Sequence, residues 1–437
     1  MKVFKFGGAS VKNARAIQNV ATILTQFSSD PLLIVVSAMG KTTNALEQIV
    51  ALAQSKKDFK SVLDTIHQYH SQVIEELGIT DPPFIQLFEN HFQEIERSAT
   101  LPGEYDHVYD QVVSQGEILS SFILNKYLQA KGLPSEWLDA RKYILTDETY
   151  REAKVNWVRT KEAVQPLKEV LQKKIIVTQG FIGGTTQQTT TTLGREGSDY
   201  TAAIFASCLT AKSVTIWKDV PGVMSADPKR LPSAIVFDEL PYQEAAEMTY
   251  YGASVIHPKT IKPLANANIP LLVKNFDDPT LPGTIIHNCK VDKLPPLIVF
   301  KDNQCLISCK VTDYSFINEQ QMSSIFETLS QRDVRINVMQ NSAITFSFCV
   351  DFRDQKVLKL IEALSKDFEV YYNTGLTLIT IKNYDTATFN EYRTKPGVIL
   401  EQSSRSTLQV LVRNKGCVAF SSRINCPIER SSISKTS

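Results

Sequence analysis

The sequence predicts an α/β protein: a three-layer αβα sandwich around a mainly parallel sheet, followed by a separate α+β region. Three observations predict it. Over the first 290 residues, short apolar runs of strand length alternate with stretches of helical period. Those runs are apolar on both faces, as a sheet covered by helices on both sides requires. Beyond Val291 to Pro296, where charge and a Pro-Pro pair mark a junction, strands and helices follow one another at closer spacing.

Val3 to Phe6 reads as the first strand, and Ile17, Val20, Ala21 and Leu24 then recur at helical spacing. Leu32 to Val36 is a continuous apolar run, and Ile175 to Thr178, Val214 to Trp217 and Pro270 to Val273 repeat it. From about residue 45 to 132 the strand signal gives way to a helical insertion, broken at Gly78 to Pro83 and at Leu101 to Gly103. Such an insertion is a natural place for residues that contact a substrate. Thr185 to Thr192 is a polar low-complexity run introduced by Gly183 and Gly184, expected as a mobile hairpin or lid.

After the junction, Gln304 to Val311 reads as a strand, Asn318 to Gln331 as a helix, and Arg335 to Met339 and Ala343 to Val350 as strands. The helix Lys356 to Ser365 and the strand Phe368 to Tyr372 complete a β-α-β-β-α-β series, the ferredoxin-like order. Leu376 to Ile381 and Thr407 to Val412 add two strands. Between Ile381 and Leu408 there is too little chain for a helix plus two strands, so a second module within 297–415 is expected to be shortened. Gly416 to Ser437, rich in serine and without periodicity, is expected as a disordered tail.

Composition narrows the function. The 437 residues carry 47 basic and 46 acidic side chains, a net charge of +1, which gives no general excess for holding nucleic acid or anionic lipid. At 43% hydrophobic and 21% charged, the chain has the balance of a globular protein with a substantial core. No apolar run approaches the roughly 18 residues that span a bilayer, and MKVFKFGGAS has no apolar segment of the secretory kind. Seven scattered cysteines without a Cys-x-x-Cys pair argue against a disulfide framework or a zinc site, and for a reducing, cytosolic compartment.

The strongest chemical signal is KFGGAS, Lys5 to Ser10, on the first strand-to-helix turn. Gly7 and Gly8 let backbone N–H groups approach a phosphate, the following helix adds its positive end, and Lys5 adds a full charge. With VVSAMGKTTN (35–44), VSQGE (113–117), GREGSDYTAA (194–203), WKDVPGVMSADP (217–228) and YYGASVIHPKT (250–260), this turn resembles the aspartate kinases of the amino-acid kinase superfamily. The resemblance covers about residues 2 to 288, in the family's order. It implies transfer of the γ-phosphoryl of ATP, with Mg²⁺ bridging its phosphates, to the β-carboxylate of L-aspartate. The product is 4-phospho-L-aspartate, the first intermediate towards lysine, threonine and methionine.

The acceptor in that reaction is a carboxylate, already ionised at neutral pH, so the site needs charge neutralisation rather than a general base. The resemblance makes Lys5 the stabilising cation and Asp199 the acid that orients it. Arg195 is the bidentate clamp for the α-carboxylate and Glu117 the partner of the substrate ammonium. Ser37 and Thr43 match the substrate pocket, and Gly7, Gly8, Lys218, Asp219, Met224 and Lys229 match nucleotide-contacting positions.

Departures from the family pattern stand at Met224, where an aromatic residue is frequent, and at Lys229, where arginine is. Ser254 stands where many relatives carry a phosphate-binding lysine, and Lys218 or Lys259 is expected to take over that charge. Glu196 stands where glycine is common, either competing for Arg195 or facing solvent. His257 is expected to open a helix rather than to take part in chemistry, and no metal site is expected beyond the ion carried by the nucleotide.

The region after residue 300 resembles an ACT module, the amino-acid sensor that follows the catalytic domain in aspartate kinases. The resemblance implies pairing of copies into a homodimer or larger oligomer. It also implies an amino-acid effector on the strand pair 336–351, at Asn337, Val338, Met339, Asn341 and Ser342. Lysine-controlled relatives often have acids where Asn337 and Ala343 stand, so the effector's identity stays open. A fused homoserine dehydrogenase is not expected, since no later G-x-G-x-x-G strand-to-helix unit follows. Two other readings remain. One is a sister kinase such as glutamate kinase, the other a catalytically weak amino-acid sensor.

Overall fold

The computed structural model describes residues 1–427 apart from 28, 29, 254, 255, 292, 314, 422 and 423, and from residue 415 onward its backbone alone. It forms two compact units. One comprises Met1–Met224, Val236–Thr249 and Ser254–Val291; the other comprises Ser225–Ile235, Tyr250–Ala253 and Asp292–Ser437.

The first unit is built on one sheet of eight strands. Their order is Ser135–Leu138, Ile175–Gln179, Leu32–Val36, Lys2–Phe6, Ser213–Lys218, Leu271–Asn275, Thr284–His287 and Glu239–Pro241. Every neighbouring pair is parallel except Leu271–Asn275 with Thr284–His287. The five apolar runs expected as strands all belong to this sheet. Leu32–Val36 sits inside it with all five side chains fully buried, which its unbroken apolar run requires.

Alternation along the first strand decides what each face does. Phe4 and Phe6 enter a core shared with Leu32, Ile34, Val36 and Trp217 and with Ile17, Val20 and Leu24 of the helix Ala14–Thr25. Burying each such side chain contributes about 1.5 to 3 kcal/mol. Lys5, between the two phenylalanines, points to the opposite face, where the helix Gly197–Leu209 contacts the strands Lys2–Phe6, Leu32–Val36 and Ser213–Lys218.

The insertion consists of the helices Thr42–Gln54, Lys60–Glu76, Pro82–Ala99, Tyr105–Val113 and Gln115–Ala130. The break at Gly78 to Pro83 is a built helix start: Asp81 accepts from the Phe84 N–H and proline occupies the first turn. For the run 185–192 the structure bears out the hairpin and corrects the lid. Ile182–Gly184 and Thr190–Thr192 form a hairpin whose returning threonines are buried, not a free lid. Thr192 donates to Asp110 from both its N–H and its hydroxyl, and Thr190 exchanges two hydrogen bonds with Gln111.

In the second unit, antiparallel strands lie in the order Ile336–Asn341, Thr345–Asp351, Leu297–Lys310, Glu369–Lys382, Thr407–Ser421 and Val398–Ser403. The helices Glu319–Gln331 and Asp354–Leu364 cross over between them, so the first four strands have the ferredoxin-like order. The runs 368–372 and 376–381, expected as separate strands, are one strand shifted in register at Gly375, whose φ is 70°.

The second module has one short helix, Thr386–Arg393. Its sheet face is covered by Phe389 and Tyr392 from that helix and by Ala226, Leu231 and Ala234 from the segment 225–235. Arg230 fixes this segment, its guanidinium 4.2 Å over the Phe300 ring and 2.8 Å from Asp302. Part of the stretch expected as a tail is strand: Thr407–Ser421 continues through it and pairs with Ile424–Pro427. The rest of that stretch, 422, 423 and 428–437, lies outside the described residues.

Candidate active site

At the carboxyl end of the first unit's central strands lies a cleft of about 810 Å³. Eight of the twelve catalytic, substrate and nucleotide candidates line it: Lys5, Gly8, Ser37, Thr43, Glu117, Arg195, Asp199 and Lys218.

Lys5, next to last in its strand, holds its ammonium 2.6 Å from Oδ1 of Asp199. Lys218, on the neighbouring parallel strand, lies 3.8 Å from Oδ2 of the same carboxylate. Asp199 stands in the first turn of the helix Gly197–Leu209, where the helix dipole also favours negative charge. Burial works to raise the pKa of Asp199. Electrostatic attraction to Lys5 and Lys218 outweighs burial and holds the carboxyl below its ordinary range. One fixed anion thus positions two cations side by side.

Glu117 occupies the first turn of Gln115–Ala130. Its Oε1 accepts from the Ala38 N–H at 3.2 Å, and its Oε2 is buried without a hydrogen-bond partner among the described residues. Burial pushes its pKa up to about 8. An unmatched buried oxygen facing a cleft suits an incoming cation. The turn carrying Ser37 is fixed by hydrogen bonds from Ser37 N to Phe6 O at 3.1 Å and from the Ser120 hydroxyl to Ser37 O at 2.8 Å.

The two glycines of the first turn have different reasons to be glycine. A Cβ on Gly8 would lie 2.6 Å from the Ala38 carbonyl oxygen, so Gly8 permits two loops to touch. A Cβ on Gly7 would lie 3.5 Å from Nζ of Lys5, so its absence leaves one flank of the ammonium open to an anion.

Gly7, Asp219, Met224 and Lys229 do not line the cleft. Asp219 is exposed on the turn after its strand, and Lys229 belongs to the segment 225–235 of the second unit. Ser254 lies outside the described residues. Lys259 is exposed and away from the cleft wall, while His257 caps the helix Pro258–Asn266 by accepting from the Lys259 N–H at 3.1 Å. Glu196 has a left-handed φ of 53° and lines the cleft, with its Oε2 buried and unpartnered among the described residues. No ion pair ties it to Arg195 among those residues.

The five effector candidates lie in the second unit, on its edge strand Ile336–Asn341 and the turn after it. Val338 is buried in the apolar core, and Met339, Asn341 and Ser342 are exposed. Asn337 is already engaged, accepting from Lys301 at 2.8 Å and donating to Gln304 and Asp351. Away from both places, Glu239, His287 and Cys289 cluster at the last two strands of the mainly parallel sheet and just beyond them, where His287 and Glu239 already form an ion pair at 3.0 Å.

The cleft also holds residues that motif reasoning missed, chiefly Tyr109, Arg151, Glu152 and Phe181. They come from segments without a recognisable pattern, and only the folded chain brings them together.

Comparison with known proteins places this architecture. Residues 1–275 match the model of the amino acid kinase family. The lysine-sensitive aspartokinase 3 of Escherichia coli is 31% identical over 359 residues, 80% of this chain and 78% of that protein. A bifunctional aspartokinase/homoserine dehydrogenase 2 of Arabidopsis thaliana is 29% identical over 96% of this chain but only 48% of its own length. The chain thus spans about half or less of the bifunctional curated relatives it matches. The structure of E. coli aspartokinase III in complex with aspartate and ADP superposes with a TM-score of 0.80 at 27% identity, covering 94% of this chain and 96% of that one. With the parallel sheet, the two-lysine cleft and the ferredoxin-like sheet in hand, the chain belongs to the amino acid kinase family and, within it, to the aspartokinases.

Proposed function

We propose that the protein transfers the γ-phosphoryl group of ATP to the β-carboxylate of L-aspartate. The observation that carries the reading is the pair of lysines held on Asp199 in the cleft that Glu117 and Arg195 also line. The likeness to an aspartokinase described with aspartate and ADP supports it.

A carboxylate oxygen of aspartate attacks the γ-phosphorus. The bond from that phosphorus to the β,γ-bridging oxygen breaks, and ADP leaves with the electron pair. No proton has to be removed from the nucleophile. The barrier is the approach of two anions and the charge spread over the transferring group, and Lys5 and Lys218 are placed to offset both. Asp199 receives no proton in this scheme; it holds the ammonium groups in position before substrate arrives. Arg195 is exposed and has no ion pair among the described residues, so its guanidinium fork is available to the α-carboxylate. Glu117 takes the ammonium, ionising as it does so.

ATP enters as its Mg²⁺ complex. The cleft is lined by Lys5, Lys218, Arg151 and Arg195 against the five acids Asp106, Glu117, Glu152, Glu196 and Asp199, so its own cations do not offset a polyphosphate. That donor set fits a nucleotide that would bring a divalent ion, whose charge would offset the phosphates where these side chains do not. Gly7, Gly8, Asp219 and Met224, all of the first unit, remain the proposed nucleotide contacts, and Lys218 rather than Lys259 is the proposed counterpart of the family lysine at 254.

For the second unit we propose an amino-acid effector at the exposed end of strand Ile336–Asn341. Pairing of copies is supported by the exposed Phe316, Met339 and Ile344 near that edge. ADP release dependent on aspartate, with glutamate as competitor, tests the whole reading. Aspartate preference is expected. Preference for glutamate would move the protein to a sister activity, and amino-acid binding without ADP release would make it a sensor.

A further inference from the structure

Arg151 belongs to no motif, yet it lines the cleft together with Arg195. Its backbone is left-handed, with φ at 68°, a conformation uncommon for a non-glycine residue and met where the surroundings over-determine it. Those surroundings are specific. Oδ2 of the buried Asp110 accepts from the Arg151 N–H at 3.0 Å and from the Thr192 N–H at 2.8 Å. The Ala153 N–H donates to Thr192 O at 2.9 Å. A Cβ on Gly194 would lie 3.1 Å from the Arg151 carbonyl oxygen. The segment that carries Arg151 is therefore locked against the one that carries Arg195.

The guanidinium is also pre-set. It lies 4.3 Å above the Tyr109 ring and within 5.8 Å of Tyr105. Its ionic contacts are the loose, solvent-exposed ones to Asp106 at 3.3 Å and Glu47 at 3.9 Å, which leave most of its donors unspent. A ring-backed arginine keeps its plane with little further loss of freedom on binding, whereas Arg195 has no such support.

We propose that Arg151 is a second determinant of substrate specificity, completing with Arg195 a two-arginine clamp for the α-carboxylate of the amino-acid substrate. This inference rests on the reading of the cleft as the aspartate site. The non-reacting carboxylate is then held by two forks while the β-carboxylate is left to Lys5.

The test compares wild type, Arg151→Ala and Arg151→Lys in KM for aspartate, KM for ATP and the inhibition constant of β-alanine. β-Alanine keeps the amine and the reacting carboxylate and lacks the α-carboxylate. Losing a charge-assisted contact raises the aspartate KM of Arg151→Ala about ten- to a hundredfold. The ATP KM and the β-alanine constant are expected to move less than about twofold, within the range of ordinary surface substitutions. Arg151→Lys recovers little, because a point charge does not supply the fork. An unchanged aspartate KM would overturn the proposal. So would equal weakening of aspartate and β-alanine, which would make Arg151 an anchor of its loop. If wild type released no aspartate-dependent ADP, the kinase reading would fail on its own, and calorimetric aspartate binding to wild type and both variants would still decide the role of Arg151.

Discussion

Glu117 makes aspartate binding depend on pH in a calculable way. Burial holds its carboxyl near a pKa of about 8, so at pH 7 only about one site in eleven carries the charge that the substrate ammonium needs. Ionising the rest costs about 1.4 kcal/mol at pH 7 and the same again for each further unit of acid. The apparent KM for aspartate should therefore fall about tenfold between pH 6 and pH 7 and level off above pH 8. Calorimetry in buffers of different ionisation enthalpy should register close to one proton released per aspartate at pH 7. Glu117→Gln keeps a carbonyl acceptor for the Ala38 N–H, weakens aspartate binding and abolishes the slope.

The same group leaves a mark on stability. Its folded pKa lies above the unfolded value of 4.5, so the folded chain binds the extra proton between them and loses stability as pH rises from 4.5 to about 8. The difference between wild type and Glu117→Gln, which cancels every other titrating group, should change by about 1.4 kcal/mol per unit in that window. A KM flat from pH 6 to pH 8, with no proton released, would refute the assignment of Glu117 as a neutral acid awaiting a cation.

Two further outcomes follow from the geometry. Gly8→Ala drives a methyl to 2.6 Å from the Ala38 oxygen, and overpacking of this kind should cost about 1 to 3 kcal/mol, read as a lowered thermal midpoint with reduced turnover. Lys218→Ala should lower kcat and ATP affinity together by about tenfold, while Lys259→Ala, on an exposed helix start, should change neither. Equal effects from the two lysines would move the compensating charge away from the Asp199 pair.

The central sheet was legible because its strands are buried on both faces, so runs such as Leu32–Val36 have no other use. Ser135–Leu138 and Glu239–Pro241 were not, being short outer strands with mixed polarity and no period to read. Thr190–Thr192 misled because polarity usually means exposure, whereas here Asp110 and Gln111 satisfy the threonines inside the fold. The helix Thr386–Arg393 buries little beyond Tyr392, so its sequence carries hardly any apolar stripe.

In the site, the residues inside motifs could be named in advance because their order along the chain is distinctive. Arg151 could not. Its place depends on a buried carboxylate 41 residues earlier in sequence and on a tyrosine ring from the same helix. Nor does the stretch after Trp217 show that its later part, 225–235, packs on the second sheet, since that depends on Arg230 meeting Phe300 and Asp302.

The most direct measurement is aspartate-dependent ADP release by Lys5→Met, with aspartate affinity followed separately by calorimetry. Loss of an oriented charge at the transferring phosphoryl should slow turnover about a hundred- to a thousandfold, with aspartate binding nearly unchanged. Turnover at the wild-type rate would show that the phosphoryl group passes elsewhere.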